Sequence, residues 1–157
     1  FMMCHRLRYP TPVEETEVVR RALKLKLQRQ GDGAVPQSMF DAIEDEHKLS
    51  VKDLTEAMTQ VQAVHVSEVF IHDCVKLVNA TRGHQDLVLG CSPRAVLSLV
   101  QAARARAFIY GRDYVVPEDL VTLAEDVILH RVRLSYEALA DGLTPQTMLE
   151  RLLNEML

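Results

Sequence analysis

The stretch Leu89–Ala103, LGCSPRAVLSLVQAA, decides how the rest of the chain is interpreted. Ser92 is a residue type that caps helix N-termini, and Pro93 fits the first helical position, where its missing N–H costs nothing. Gly90 supplies flexibility before this start, and Gly111 predicts the C-terminal end of the helix. Apolar residues recur at helical spacing in between and predict a stripe that faces a core. That stripe consists of Val96, Leu99, Val100, Ala103 and Ala107.

The stability of this helix does not explain why an arginine, Arg94, stands at its start. It falls in the first turn, where the helix dipole disfavours a cation by roughly 0.3–1 kcal/mol. At about 100° per residue it points away from Val96 and Ala103, and therefore outward. Free amides at a helix N-terminus bind anions, and a guanidinium binds phosphate or carboxylate through two parallel hydrogen bonds. Two interpretations stay open: a solvated surface arginine, or an arginine with a phosphate or carboxylate partner.

The composition is that of an ordinary globular protein with an acidic balance. The chain has 157 residues, 48% hydrophobic and 25% charged, and a formal net charge of -4. This charge disfavours a dedicated nucleic-acid binder, which carries a basic excess. No apolar run approaches the roughly 20 residues that span a bilayer, so we expect no membrane insertion. The wide spacing of Cys4, Cys74 and Cys91 favours free thiols in a cytoplasmic protein over a zinc site or a disulfide framework.

The remaining segments predict a mainly α protein. Residues 1–9 read as a short strand without a partner strand in the chain, and the first residue, Phe1, suggests a piece of a longer protein. Thr11, followed by proline and then by Glu14, predicts a capped helix start. Residues 36–48 read as a connector whose acidic residues form a solvated face rather than a cation site. Those acids are Asp41, Glu44, Asp45 and Glu46. Further helices are expected to begin near Ser50, Ser67, Pro117 and Thr144.

Two of these helices carry a clear apolar stripe that is expected to face the core. After Ser67 the stripe consists of Phe70, Cys74, Leu77 and Val78. After Pro117 it consists of Leu120, Leu123, Ala124, Val127 and Ile128. The links at residues 65–66 and 114–116 are expected to be extended, and residues 83–88 to form a loop.

The chemistry of nucleotide hydrolysis is missing from this sequence. There is no G-x-x-x-x-G-K-[ST] run whose amides would cradle phosphates, and no strand ends in paired acids that would hold magnesium. No arrangement of serine or cysteine with histidine predicts a nucleophile, and no spacing predicts a metal site. We therefore expect the chain alone to be inactive, and to bind neither ATP nor Mg²⁺ stably.

Three stretches carry a resemblance to a known family. Residues 89–95 read LGCSPRA, residues 102–105 read AARA, and residues 110–120 read YGRDYVVPEDL. They resemble the helical lid of MoxR-type AAA+ ATPases, which show Gly-Ala-Ser-Pro-Arg-Ala and then Gly-Arg-Asp-Tyr-Val-x-Pro-Asp/Glu-Asp. Cys91 stands where the family has alanine, a change between small residues. The junction at residues 9–15, YPTPVEE, also matches, with Arg8 in place of the family's glycine.

This resemblance implies an AAA+ lid-type helical bundle over residues 50–157. Residues 1–49 would be the tail of the ATPase core, with an orphan strand and a linker helix. It also implies that Arg94, supported by Ser92 and Pro93, is the sensor-2 residue that reaches the nucleotide γ-phosphate. The parent protein would hydrolyse ATP with Mg²⁺ in the cytoplasm, as a ring oligomer, commonly a hexamer. It would remodel or mature client proteins, often with von Willebrand factor A domain proteins.

Two alternatives from other classes remain open on the sequence. One is a helical DNA-binding or adaptor module without ATP, in which the residues after Gly111 mimic a helix-turn-helix. The other is a purely structural oligomerisation domain, in which Arg94 has no role. Arg82, at the end of an earlier helix, is interpreted as a cation stabilised by the helix dipole rather than as a contact to nucleotide or partner.

Overall fold

The computed structural model describes residues 1–38, 40 and 48–156, and its architecture is mainly helical as predicted. It divides into two compact units, Leu7–Thr55 and the pair of segments Phe1–Arg6 with Glu56–Leu157. The predicted acidic face at residues 41–46 lies outside the described residues. No helix in the described ranges is long and apolar enough to cross a bilayer.

The described residues of the smaller unit include a helix and a hairpin, and the first residues of a second helix, from Val51, also belong to it. Helix α1, Pro12–Leu23, begins with the predicted capping box, in which the Thr11 hydroxyl accepts from the Glu14 amide and the Glu14 carboxylate accepts from the Thr11 amide. Strands β1, Leu27–Gln30, and β2, Gly33–Pro36, pair antiparallel. The turn between them uses Gly31 at a φ of +61°, a left-handed conformation suited to glycine. The sequence predicted a break here but not the hairpin.

The larger unit holds the core. Helix α2, Val51–Ala63, leads into it, followed by α3, Glu68–Arg82, β3, Leu87–Leu89, and α4, Arg94–Ile109. After α5, Pro117–Ile128, a short 3₁₀ helix covers Leu129–Arg131. The chain ends with β4, Arg133–Leu134, α6, Tyr136–Ala140, and α7, Pro145–Met156. Strands β3 and β4 pair antiparallel, so the segment just before Gly90 is a strand and not the loop that was expected.

The apolar periodicity identified most of this core. Every residue predicted to face inward on α5 is buried, namely Leu120, Leu123, Ala124, Val127 and Ile128. The same holds for Phe70, Cys74, Leu77 and Val78 on α3. On α4 the predicted residues Leu99, Ala103 and Ala107 are buried, but Val96 and Val100 are only half-buried. The buried face is rotated toward small residues that were not predicted, namely Ala95, Ser98 and Ala102. Small side chains let a neighbouring helix approach closely, and they carry a weak signal in an apolar pattern.

Two extended links of the larger unit pair with each other. The backbone at His65 and the backbone at Tyr114 form a parallel bridge. The His65 amide donates to the Asp113 carbonyl at 2.8 Å, and the Val115 amide donates to the His65 carbonyl at 3.1 Å. Both segments were predicted to be extended, and their pairing joins the start of α3 to the start of α5.

The strand predicted for residues 1–9 is absent from the described structure. Residues 1–6 instead form a strap without regular secondary structure, which belongs to the larger unit. The Cys4 amide donates to the Asp126 carbonyl at 2.8 Å. The Arg131 guanidinium donates to the carbonyls of Phe1, at 2.7 Å, and Met2, at 3.1 Å. Single contacts to α5 and the 3₁₀ helix thus satisfy backbone groups that a strand ladder would otherwise satisfy.

Candidate functional site

Arg94 is the first residue of α4 and is exposed, as its helical position predicted. The predicted serine cap is wrong, because no side-chain hydrogen bond caps this helix. Backbone carbonyls form the first turn instead: Ser92 accepts from the Ala95 amide at 3.0 Å, and Pro93 accepts from the Val96 amide at 3.1 Å. The serine hydroxyl is therefore not used in the helix start, and the proline precedes the first helical residue.

A latch formed by the end of α3 holds the loop that leads into α4. The Thr81 hydroxyl, fully buried, donates to the Val78 carbonyl at 2.7 Å and accepts from the Cys91 amide at 2.9 Å. Next to it, Arg82 Nε donates to the Cys91 carbonyl at 2.7 Å, and Arg82 Nη1 donates to Asn79 Oδ1 at 2.9 Å. The amide and the carbonyl of one loop residue are thus both bound by one helix end.

Arg82 lies in the last turn of its helix, where a cation was expected, but the dipole account of it is incomplete. Its partner, Cys91, lies nine residues further along the chain, in a loop between a strand and a helix. No periodicity or cap signal in the sequence points to such a contact.

Gly90 is required by steric fit and not by the flexibility that was expected. A β-carbon at this position would lie 2.4 Å from the Thr81 carbonyl oxygen and 2.7 Å from Arg82 Cα. Both are backbone atoms of α3, and they cannot move aside as a flexible side chain does. The loop therefore passes against the end of α3 at a distance that only glycine permits.

The second motif, at residues 110–120, is organised around the carboxylate of Asp119, which is fully buried. Arg112 donates to both of its oxygens, at 2.7 and 2.9 Å, and Arg106 donates to Oδ1. The Val116 amide donates at 2.9 Å, which completes the N-terminal cap of α5. Burial raises the pKa of the Asp119 carboxyl, but the hydrogen bonds from Arg112, the Val116 amide and Arg106 outweigh it, and the pKa lies below its ordinary value.

The surroundings of this ion pair explain the other residues of the motif. Gly111 ends α4 at a φ of +67°, as predicted, and the Arg112 amide donates back to the Ala107 carbonyl. The Arg106 guanidinium lies 4.7 Å from the centre of the Tyr110 ring, a favourable cation–π distance. Arg112 also donates to the Tyr114 carbonyl at 3.1 Å. The cation that a helix-turn-helix would present to DNA is thus engaged within the protein.

The described residues present no cluster of metal-ligating side chains. They contain no group of three or more histidine, cysteine, aspartate or glutamate side chains that could hold a metal ion. All three cysteines are free; Cys4 is exposed, whereas Cys74 and Cys91 are buried. Burial raises the pKa of the Cys74 thiol to about 12. The exposed guanidinium of Arg94, at the start of α4, is chemically suited to pair with a phosphate group.

Comparison with known proteins defines first the class of domain. The model of the AAA lid domain family matches residues 79–152, a range that begins in the last turn of α3 and includes the latch, Arg94 and Asp119. A crystal structure of a provisionally assigned ATPase from Cytophaga hutchinsonii has the same fold, with a TM-score of 0.79 and 31% sequence identity. That match covers 98% of this chain and 45% of the other. Residues 79–152, within the larger unit, therefore have the fold of an AAA lid domain.

The curated relatives then give the family. "Chaperone MoxR1" of Mycobacterium tuberculosis is 32% identical over 154 residues, which is 92% of this chain and 37% of the relative. "Protein MoxR" of Methylorubrum extorquens is 54% identical over 43 residues, 27% of this chain and 12% of the relative. The chain belongs to the MoxR-type AAA+ ATPases and corresponds to their C-terminal part. It spans little more than a third of the length of the mycobacterial relative.

Proposed function

We propose that this chain is the nucleotide-sensing lid of a MoxR-type motor, with Arg94 as the sensor-2 residue. The observation that carries the proposal is the exposed guanidinium of Arg94 on the first residue of α4. The loop that precedes it is fixed by hydrogen bonds to the backbone amide and carbonyl of Cys91. A cation at the positive end of a helix dipole costs free energy. A bound phosphate removes that cost, because it pairs with the guanidinium.

The proposed mechanism couples lid position to the state of the nucleotide. A ligand shifts a conformational equilibrium only through contacts that differ between the two states. Arg94 would supply such a difference, because it would contact the γ-phosphate of ATP and lose that contact in ADP. A fixed positive charge beside the transferring phosphoryl group also stabilises the charge that spreads over its oxygens in the transition state.

The rest of the ATPase would come from the part of the protein outside this chain. The phosphate loop and the magnesium-binding acids are absent from the sequence, so the chain alone would be inactive and would hold neither ATP nor Mg²⁺ stably. In this proposal residues 1–49 are the tail of the ATPase core and a linker, and residues 50–157 are the lid.

The proposal extends to assembly and clients. The full-length protein would form a ring oligomer, with a hexamer expected. It would work in the cytoplasm as a chaperone-like motor that remodels or matures client proteins, von Willebrand factor A domain proteins among them. The name of the mycobacterial relative, a chaperone, supports this assignment. The acidic net charge of -4 supports a protein client over a nucleic acid.

ATP binding and hydrolysis by the full-length protein test the proposal. At saturating ATP, Arg94→Ala should still bind ATP while kcat for hydrolysis falls by roughly 10- to 1,000-fold, because a group that stabilises transition-state charge is lost. Arg133→Ala is the matched control, because Arg133 is also an exposed arginine of the larger unit. Equal hydrolysis by wild type and Arg94→Ala would contradict the sensor role. A full-length protein that binds no ATP would contradict the motor itself.

A further inference from the structure

We infer that Thr81 and Arg82 are positioning residues for Arg94, an assignment that rests on the proposed sensor function. They contact no nucleotide in this account. They act through the backbone of Cys91, which lies three residues before Arg94 in the loop that precedes α4. The end of α3 thereby determines where the sensor side chain stands relative to the rest of the lid.

The geometry of the latch is suited to fixing an orientation. The Cys91 amide belongs to one peptide unit and its carbonyl to the next, so holding both restrains the two backbone dihedral angles between them. Thr81 Oγ1 holds the first at 2.9 Å and Arg82 Nε holds the second at 2.7 Å. Residues 90–93 lie outside the strands and helices, although the carbonyls of Ser92 and Pro93 accept hydrogen bonds from the first turn of α4. Without the latch, this loop would let the start of α4 tilt.

Further contacts within and against the end of α3 complete the restraint. The buried Thr81 hydroxyl is itself fixed, because it donates to the Val78 carbonyl within α3. Gly90 packs against the backbone of the same turn, at a distance that excludes a β-carbon. Arg82 is oriented by its second hydrogen bond, to Asn79 Oδ1. Each restraint thus comes from the last turn of α3 and acts on Gly90 or Cys91.

Because Arg82 is exposed, its effect on the loop can be tested without unfolding the protein. The side chain is exposed and is not among the buried residues through which α3 contributes to the apolar core. Removing it should therefore leave the protein folded while the loop loses one of its two anchors. Lysine keeps the charge but lacks the planar fork that holds two partners at once. We therefore expect Arg82→Lys to retain more of the ATPase activity than Arg82→Ala.

The test is a double-mutant cycle in the full-length protein, with kcat for ATP hydrolysis as the readout. Arg82→Ala should lower kcat about 10-fold, because a small misplacement of a charge-stabilising group is costly. In the Arg94→Ala background the same substitution should cost less than about twofold, since nothing remains to be positioned. Arg151→Ala, an exposed arginine on α7, should be silent in both backgrounds.

Thermal unfolding and hydrogen exchange distinguish a displaced loop from a loss of folding. Thermal unfolding of Arg82→Ala should stay within about 2 °C of wild type, as expected for an exposed site, while hydrogen exchange at the Cys91 amide should accelerate at least about 10-fold. Unchanged exchange at Cys91, or an equal loss of kcat in both backgrounds, would overturn the positioning role and leave the sensor proposal standing. A silent Arg94→Ala variant would instead overturn the sensor proposal, and the positioning role with it.

Discussion

The carbonyl oxygen of Thr81 lies where a side chain at Gly90 would begin, 2.4 Å from the position of a β-carbon. This contact places the loop of residues 90–93 directly against the end of α3. It also means that one methyl group should disturb the loop more than most substitutions on the surface of the lid.

Gly90→Ala should destabilise the chain by about 1–3 kcal/mol, the usual cost of forcing extra atoms into a packed site. Gly83→Ala is the control, because a β-carbon there would have no atom within 4 Å and needs no left-handed backbone. Chemical denaturation of both variants measures the difference. Similar free energies of unfolding for Gly90→Ala and wild type would show that the loop is not seated as described.

Asp119→Asn should lower the free energy of unfolding by about 3 kcal/mol, because it leaves two arginines beside a neutral partner in a largely buried site. Glu118→Gln, the neighbouring exposed acid, should change it by less than about 0.5 kcal/mol. A small effect of Asp119→Asn would mean that the paired arginines are solvated and that the ion pair does not hold α4 to α5.

The same carboxylate should make stability depend on acid pH. Its pKa is lowered in the folded chain, so its contribution is complete above the unfolded value of about 3.9 and is lost as the pH falls from there through the folded value. The free energy of unfolding, measured by denaturation at several pH values between about pH 5 and pH 2, should therefore fall more steeply with decreasing pH for wild type than for Asp119→Asn. Parallel curves would assign the acid sensitivity to other groups.

Arg131→Ala should release the N-terminal strap from the larger unit. Arg131 donates to the carbonyls of Phe1 and Met2 and, at 3.0 Å, to the hydroxyl of Ser98 on α4. Loss of these charged hydrogen bonds should speed amide exchange at Cys4 by roughly 10-fold or more. Arg133→Ala provides the comparison. Exchange at Cys4 that is already fast in wild type would show that the strap is not held in solution.

Thiol labelling should distinguish one cysteine from the other two. Cys4 is exposed, whereas burial raises the pKa of the Cys74 thiol to about 12 and also raises the pKa of Cys91. The thiolate is the reactive form. Iodoacetamide at pH 8 should therefore modify Cys4 in the folded chain, and all three cysteines only after unfolding. Rapid modification of Cys74 in the folded chain would show that its helix opens readily.

How far the sequence predicts this molecule depends on the range of the interactions involved. The stripe on α5, the capping box at Thr11 and the helix end at Gly111 are local patterns, and the structure confirms them. The rotated face of α4 was missed because alanine and serine carry little apolar signal, although they permit close packing. The serine cap failed because Ser92 contributes its carbonyl, and not its hydroxyl, to the first turn.

The site itself was predicted in part. The exposed position of Arg94 follows from helical periodicity alone, and its role as sensor came from resemblance and stays a proposal. The latch could not be predicted, because Arg82 and Cys91 meet only after α3, β3 and the loop have folded together. The strap at residues 1–6 was expected as a strand, since a short alternating segment does not reveal which backbone partners it will find.

The most direct test of the central claim is nucleotide discrimination by the full-length protein. The dissociation constants for ADP and for a non-hydrolysable ATP analogue should be measured for wild type and for Arg94→Ala. If Arg94 contacts the γ-phosphate, the substitution should weaken analogue binding about 10- to 100-fold, as expected for a lost charged hydrogen bond, and leave ADP binding within about twofold. An equal effect on both nucleotides, or no effect on either, would contradict the assignment of Arg94 as the sensor of this lid.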